Sequence, residues 1–173
     1  MVWMWYLWDL MERLPSYGRC FLCGGGNPKG LRLKLFLEGD LVVTEFRLEE
    51  AFIGYEGIIH GGILAGILDE VMWWAAAWHS GRACFTTDMT VRYKKPALLE
   101  HPFRAIGKVT RIGPRLIETE GEIRDLEAGH VCTVATGRYF LLRGERNREA
   151  LKLLDYTECS ERVRKRFLGN RDP

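Results

Sequence analysis

His60-Gly61-Gly62-Ile63-Leu64-Ala65-Gly66-Ile67-Leu68-Asp69-Glu70-Val71-Met72-Trp73-Trp74-Ala75-Ala76-Ala77-Trp78 is the stretch around which the rest of the chain is organised. It predicts one helix over about residues 61–79, stopped by Ser80-Gly81. The helix is apolar nearly all round, so it must be enclosed by other elements. Its first N–H groups have no intrahelical partner and sit at the positive end of the dipole. Glycines there let another group approach the backbone closely. Gly61 and Gly62 therefore form a candidate donor site for a carbonyl oxygen that is becoming negative.

Two acids interrupt the apolar run, and a buried acid is costly unless it is partnered or put to use. At about 100° per residue, Asp69 shares a stripe with Gly62, Ala65, Gly66, Trp73 and Ala76, while Glu70 lies nearer Ile63 and Ala77. The small residues on the Asp69 stripe make it the candidate that faces a site. The alternative reading is that both acids cap or salt-bridge a buried helix. Asp69 lies roughly 12 Å beyond Gly61 along the helix axis. One carbonyl cannot touch both places on one helix, so a site using both needs a second copy related by a two-fold axis.

The chain has 173 residues, of which 47% are hydrophobic, enough for one domain with a proper core. Its 25 Lys and Arg against 23 Asp and Glu give no general case for nucleic acid. No charge-free run of membrane-spanning length is present. The start, Met1 to Trp8, is apolar but lacks a basic region and a cleavage site, so no signal peptide is expected. Five cysteines, an odd number at irregular spacing, read as the reduced thiols of a cytoplasmic protein.

Three zones are expected. Residues 1–19 form an aromatic-rich leader, read as a helix ending near Pro15 and Gly18 and packed onto the body or a partner subunit. Residues 20–142 carry the regular pattern. Residues 143–173 form a charged tail of one or two surface helices, fraying at Gly169-Asn170. In the middle zone Leu31 to Leu37 alternates with period two and reads as a strand. Gly39-Asp40 turns the chain into a return strand, Leu41 to Phe46. After the helix come four more strands, at about 83–93, 103–111, 115–124 and 131–142. The order β-β-α-β-β-β-β makes an α+β fold in which an antiparallel sheet of about six strands curls around one central helix.

The chain resembles the hotdog-fold acyl-CoA thioesterases, in the branch of the phenylacetate-degradation thioesterases. Several segments carry the resemblance in order across about residues 20–142. They are Cys20-Phe21-Leu22-Cys23-Gly24 with Asn27-Pro28 and Gly30-Leu31, then Gly57-Ile58-Ile59-His60-Gly61-Gly62, then Leu68-Asp69-Glu70. Val91-Arg92-Tyr93 with Pro96, and Val109-Thr110-Arg111-Ile112-Gly113-Pro114-Arg115, complete the set. The resemblance implies a dimer or a tetramer of two dimers, with an active site at the dimer interface. By position Gly61 supplies the oxyanion N–H, with Gly62 beside it, and Asp69 supplies the carboxylate from the opposite subunit. Thr86 fits the hydroxyl found early on the strand after the helix, with Thr87 its neighbour. Some relatives carry an Asn several residues before the His-Gly pair; Gly54-Tyr55-Glu56-Gly57 has none. Trp73 and Trp74 are bulkier than usual after the acid and would narrow an acyl pocket.

His60 is read as orienting the Gly61 turn through a backbone hydrogen bond, the alternative being a role as base or substrate ligand. Cys20 and Cys23 form a Cys-x-x-Cys pair. A zinc site usually has four ligands, and the other Cys and His residues offer no second pair at suitable spacing, so the pair is read as a tight turn and no metal or cofactor is expected. Arg92, Lys94, Arg111 and Arg115 are candidates for a basic rim that takes the CoA phosphates, against the alternative of ordinary solvated edge charge. Gly113 lies between the last two, and Glu70 and Trp73 complete the expected substrate-binding set. The function expected is hydrolysis of an acyl-CoA thioester, with Asp69 as general base or nucleophile. The alternative is an acyl-CoA-binding module without turnover. A hotdog dehydratase would need a histidine base beside an acid in a different motif, which the chain lacks.

Overall fold

A computed structural model describes residues 11–169. The strands are β1 (Glu12–Arg13), β2 (Phe36–Glu38), β3 (Leu41–Phe46), β4 (Ile53–Tyr55), β5 (Ile58–Ile59), β6 (Cys84–Tyr93), β7 (Phe103–Ile112), β8 (Leu116–Asp125) and β9 (His130–Leu141). The helices are α1 (Gly61–Ser80), α2 (Gly144–Lys152) and α3 (Glu161–Leu168). One sheet has the order β1-β2-β3-β7-β8-β9-β6, with every neighbouring pair antiparallel. β4 and β5 form a separate small hairpin that leads into α1.

The expected architecture is borne out: a large antiparallel sheet holds one long central helix. α1 lies against β3, β6, β7, β8 and β9. A Cβ at Gly107 would fall 2.4 Å from the Val71 carbonyl oxygen, so the helix seats directly on β7 there. Leu64, Ile67, Leu68, Val71 and Met72 are buried on α1, as are all five residues from Trp74 to Trp78. Each large apolar side chain so enclosed contributes about 1.5–3 kcal/mol.

α3 packs on α1 away from the sheet. Phe167 of α3 meets Trp74 and Trp78 edge-on, with ring centres 6.0 and 6.2 Å apart. Arg166 donates from Nε to the Trp78 carbonyl at 2.8 Å, and from its guanidinium to the His79 carbonyl. These are carbonyls of the last turn of α1, which no intrahelical N–H can satisfy. Ser160 caps α3 by accepting from the Val163 N–H at 3.2 Å. The tail is thus two helices as expected, but Leu151, Val163 and Phe167 are buried rather than lying on the surface.

Two expectations need correction. Leu31 to Leu35 do not join the sheet, and only Phe36–Glu38 pairs with β3. Arg32 has φ 53°, which breaks the extended backbone, and the N–H groups of Leu31 and Leu33 go to the carbonyls of Phe21 and Leu22. The alternation still buries Leu33, Leu35 and Leu37. The leader helix is absent from residues 11–19. Glu12–Arg13 is extended and pairs with β2, because its backbone completes the edge that β2 would otherwise leave open. Residues 1–10, which hold most of the expected helix, lie outside the described part, as does Asn170.

Candidate active site

Asp69 is half-buried, and two hydroxyls reach one of its oxygens. Thr86 Oγ1 donates to Oδ1 at 2.9 Å and the Tyr139 hydroxyl donates to the same atom at 3.0 Å. Thr86 on β6 and Tyr139 on β9 are cross-strand partners, so sheet register sets the two donors side by side under the helix. Tyr139 is fully buried. Burial, and then the Asp69 charge, push its phenol above its ordinary range, so it stays a donor. Oδ2 of Asp69 has no donor among the described residues and keeps its lone pairs free to accept a proton.

The start of α1 is built differently. His60 is the N-cap, and its Nδ1 accepts from the Gly62 N–H at 2.9 Å. The expected orienting role of His60 through the backbone matches this contact. The same contact occupies Gly62, so only the Gly61 N–H is left without a partner among the described residues. The Tyr93 hydroxyl donates to the Gly61 carbonyl at 2.8 Å, and a Cβ at Gly61 would meet the Tyr93 ring at 3.1 Å. A side chain there would move the exposed Tyr93 ring by a few tenths of an ångström.

Glu70 faces away from this site. Its Oε1 accepts from Trp74 Nε1 at 3.0 Å, and its Oε2 lies 3.7 Å from Cys20 Sγ. Burial, with the nearby Cys20, pushes its carboxyl up to about 7. Glu70, read from the sequence as substrate-binding, thus packs against the Cys20–Cys23 turn and Trp74 rather than beside Thr86 and Tyr139. The Cys23 thiol, donating to Cys20, together with the N–H groups of Cys23 and Leu22, holds the Cys20 thiol down at about 5. Burial and the hydrogen bond to Cys20 push Cys23 the other way. Cys20, Cys23 and Glu70 bring their ligand atoms within 4.8 Å of one another; Asp125, His130 and Cys132 do the same. In the second cluster Asp125 already accepts from the N–H groups of Glu127 and Ala128 and contacts His101 Nδ1 at 2.8 Å.

The remaining predicted residues are spread along the sheet. Trp73 follows Asp69 by one turn and donates from Nε1 to the Cys84 carbonyl at 2.7 Å. Thr87 is exposed at a bulge in β6. Arg111 and Arg115 are exposed at the end of the sheet that carries Thr86, and Arg111 pairs with Glu118 at 3.6 Å. Gly113 closes the turn between them, its N–H on the Leu116 carbonyl at 2.9 Å. Lys94 is exposed just beyond Tyr93, at the opposite end. Arg92 is on neither half: it lines a groove of about 520 Å³ on the outer face of the sheet, with Lys108, Glu120 and Glu122. Strand alternation turns Tyr93 inward and Arg92 outward. Tyr93 and Tyr139 were not read from the sequence; the inward alternation of β6 and β9 is the signal that points to them.

A model of the thioesterase superfamily matches residues 56–132. An uncharacterised protein of Schizosaccharomyces pombe is 27% identical over 99 residues, which is 55% of this chain and 57% of that protein. A protein of Saccharolobus solfataricus proposed to be an esterase is 30% identical over 108 residues, which is 62% of this chain and 76% of that protein. A solved thioesterase superfamily protein is 31% identical, with a TM-score of 0.65 over 70% of this chain and 60% of its own. The chain thus spans little more than half the length of the yeast protein and of that solved chain. Two further solved structures, each 16% identical, share the fold. One is the Escherichia coli PaaI protein of the phenylacetic acid degradation operon, with a TM-score of 0.61 over 66% of this chain and 82% of its own. The other is a Streptococcus mutans protein bound to acetyl-CoA, with a TM-score of 0.58 over 64% of this chain and 88% of its own. The chain belongs to the thioesterase superfamily, with the hotdog fold of its PaaI-like members. Among the described residues no helix is long and apolar enough to cross a membrane.

Proposed function

We propose that the chain hydrolyses acyl-CoA thioesters in a site shared by two copies of itself. The observation that carries this reading is the division of labour along α1. Asp69 has one oxygen held by Thr86 and Tyr139 and the other free, while an unpartnered Gly61 N–H lies roughly 12 Å away on the same helix. In the reaction Oδ2 of Asp69 takes a proton from water as the water oxygen attacks the thioester carbonyl. The Gly61 N–H stabilises the oxyanion, and collapse of the tetrahedral intermediate expels the CoA thiolate, which is then protonated. Direct attack by Asp69, giving a mixed anhydride that water then cleaves, uses the same atoms. The acetyl-CoA bound to the S. mutans relative supports CoA as the carrier. Arg111 and Arg115 at the Asp69 end, and Lys94 at the Gly61 end, are the cations to meet its phosphates.

The sheet offers a way to join the two halves. β6 is a ten-residue edge strand, and Phe85 and Tyr93 on it are 64% and 55% exposed. An open edge of that length pairs readily with another strand. Antiparallel pairing with its own copy across a two-fold axis would set the Tyr93 end of one β6 beside the Thr86 end of the other. Gly61 with Tyr93 would then meet Asp69 with Thr86 of the second subunit. All five cysteines are free, in keeping with a reducing, cytoplasmic setting.

The test is thiol release from a panel of acyl-CoAs, followed by mixing Asp69→Ala with Gly61→Pro. Proline is tolerated at the first helical position and removes the N–H. Heterodimers should regain one intact site and part of the activity. No thiol release from any acyl-CoA, with binding retained, would leave a binding module. No recovery after verified subunit exchange between folded parents would refute the shared site.

A further inference from the structure

We infer that Cys20, Cys23 and Glu70 form a binding site for a thiophilic divalent cation, with Zn²⁺ the ion their chemistry fits. The ion would tie the Cys20–Gly24 turn to the middle of α1. A tetrahedral Zn²⁺, with bonds of about 2.3 Å to sulfur and about 2.0 Å to oxygen, sets sulfur and oxygen about 3.5 Å apart and two sulfurs about 3.8 Å apart. The Cys20 Sγ to Glu70 Oε2 separation is 3.7 Å, and all three ligand atoms lie within 4.8 Å of one another. The Cys20–Glu70 pair is thus within a few tenths of an ångström of the separation around a tetrahedral centre, and Cys23 is close enough to join them through a small side-chain adjustment.

The turn is built to present sulfur. The Leu22 N–H donates to Cys20 Sγ at 3.2 Å, which favours a thiolate, and the Gly24 N–H returns to the Cys20 carbonyl at 3.1 Å. A Cβ at Gly24 would fall 2.5 Å from the Cys20 carbonyl oxygen, so only glycine closes the loop this tightly after the second cysteine. Leu22, between the two cysteines, lies against Gly66 of α1, where a Cβ would be 3.5 Å from its Cδ1. The turn is thereby seated on the helix one turn before Glu70.

The carboxylate distinguishes a metal from a disulfide. Glu70 is enclosed, and its polar neighbours are the Trp74 N–H and the thiols; among the described residues no Lys, Arg or His forms an ion pair with it. A disulfide between Cys20 and Cys23 would take from Glu70 Oε2 the Cys20 thiol that lies 3.7 Å from it. A divalent ion satisfies it together with both sulfurs. Binding releases the thiol protons to solvent, and a water takes the fourth position on the half-exposed side of Cys20.

The experiment is elemental analysis of the full chain, produced with added Zn²⁺, kept under a phosphine reductant and desalted without chelator. About one zinc per chain is expected for the wild type, falling below about a tenth in Cys20→Ser and in Cys23→Ser. Glu70→Gln should lose zinc to a competing chelator at an at least roughly tenfold lower concentration. Should the cysteine variants fail to fold, Co²⁺ added to the metal-free wild type gives an independent readout through a thiolate-to-cobalt charge-transfer band. Wild-type protein with neither bound zinc nor that band would overturn the site. So would zinc retained in both cysteine variants, unchanged chelator resistance in Glu70→Gln, or a Cys20–Cys23 disulfide that survives the reductant.

Discussion

One turn of α1 presents two carboxylates to unlike surroundings. Asp69 meets the hydroxyls of Thr86 and Tyr139 on the sheet, and Glu70 meets the thiols of Cys20 and Cys23 and the indole of Trp74. The step between them is one residue, about 100° around the helix. Asp69 is half-buried with one oxygen free; Glu70 is enclosed with both oxygens in contact. The difference teaches that chemistry on this helix is set by what packs on each face, not by the acids themselves. A free oxygen suits proton transfer, and an enclosed one suits holding something in place.

The largest expected effect tests that contrast directly. Asp69→Ala should lower kcat about 10²- to 10⁴-fold with the fold intact by circular dichroism, while Glu70→Gln should lower it less than about tenfold. An essential Glu70 beside a dispensable Asp69 would invert the comparison. Next come the donors that hold Asp69. Tyr139→Phe and Thr86→Val should each reduce kcat about tenfold, worth about 1.4 kcal/mol, with KM unchanged. A rise in KM alone would mean the hydroxyls touch substrate rather than position the acid.

The cations should matter less. Arg111→Ala or Arg115→Ala should raise KM for a CoA thioester about threefold to tenfold. The effect should vanish for a pantetheine thioester that lacks the nucleotide, and an equal loss on both substrates would make the arginines structural. The smallest effect concerns a third acid. Asp125 is fully buried, yet its carboxyl lies below the ordinary carboxylate range. Burial works to raise it, and the N–H groups of Ala128 and Glu127, with His101, more than offset that. A depressed folded-state value means stability that is present above the unfolded value and lost as pH falls through the folded one. Asp125→Asn should therefore lower the melting temperature modestly at pH 7, and the gap to wild type should close below about pH 4.

The long apolar run made α1 legible to within a residue, and the turn and breaker residues between strands located β3 and β6 to β9. Asp69 and its partner Thr86 were legible too, one from the helical stripe and the other from resemblance. Tyr139 was not, because its reach to Asp69 depends on the pairing of β6 with β9, seventy residues from the acid it serves. The surroundings of Glu70 were not legible, because helical angle says which way a side chain points but not what fills that space. The Cys-x-x-Cys turn that fills it is fifty residues away from Cys20 to Glu70. Leu31 to Leu35 alternate like a strand because the alternation reflects burial; the positive φ at Arg32 diverts the backbone and leaves no trace in hydropathy.

The guanidinium of Arg166 on the last carbonyls of α1 bears on where this chain can be shortened. The superfamily match ends at residue 132 and the sheet ends at Leu141, which suggests stopping a truncated chain soon after the last strand. Such a chain would lose Phe167 from the tryptophans and leave the Trp78 and His79 carbonyls without their donor. The smallest portion that retains an intact central helix therefore extends through α3. A fusion partner or tag placed close behind Leu168 follows directly on the Arg166 contacts that finish the helix carrying Asp69.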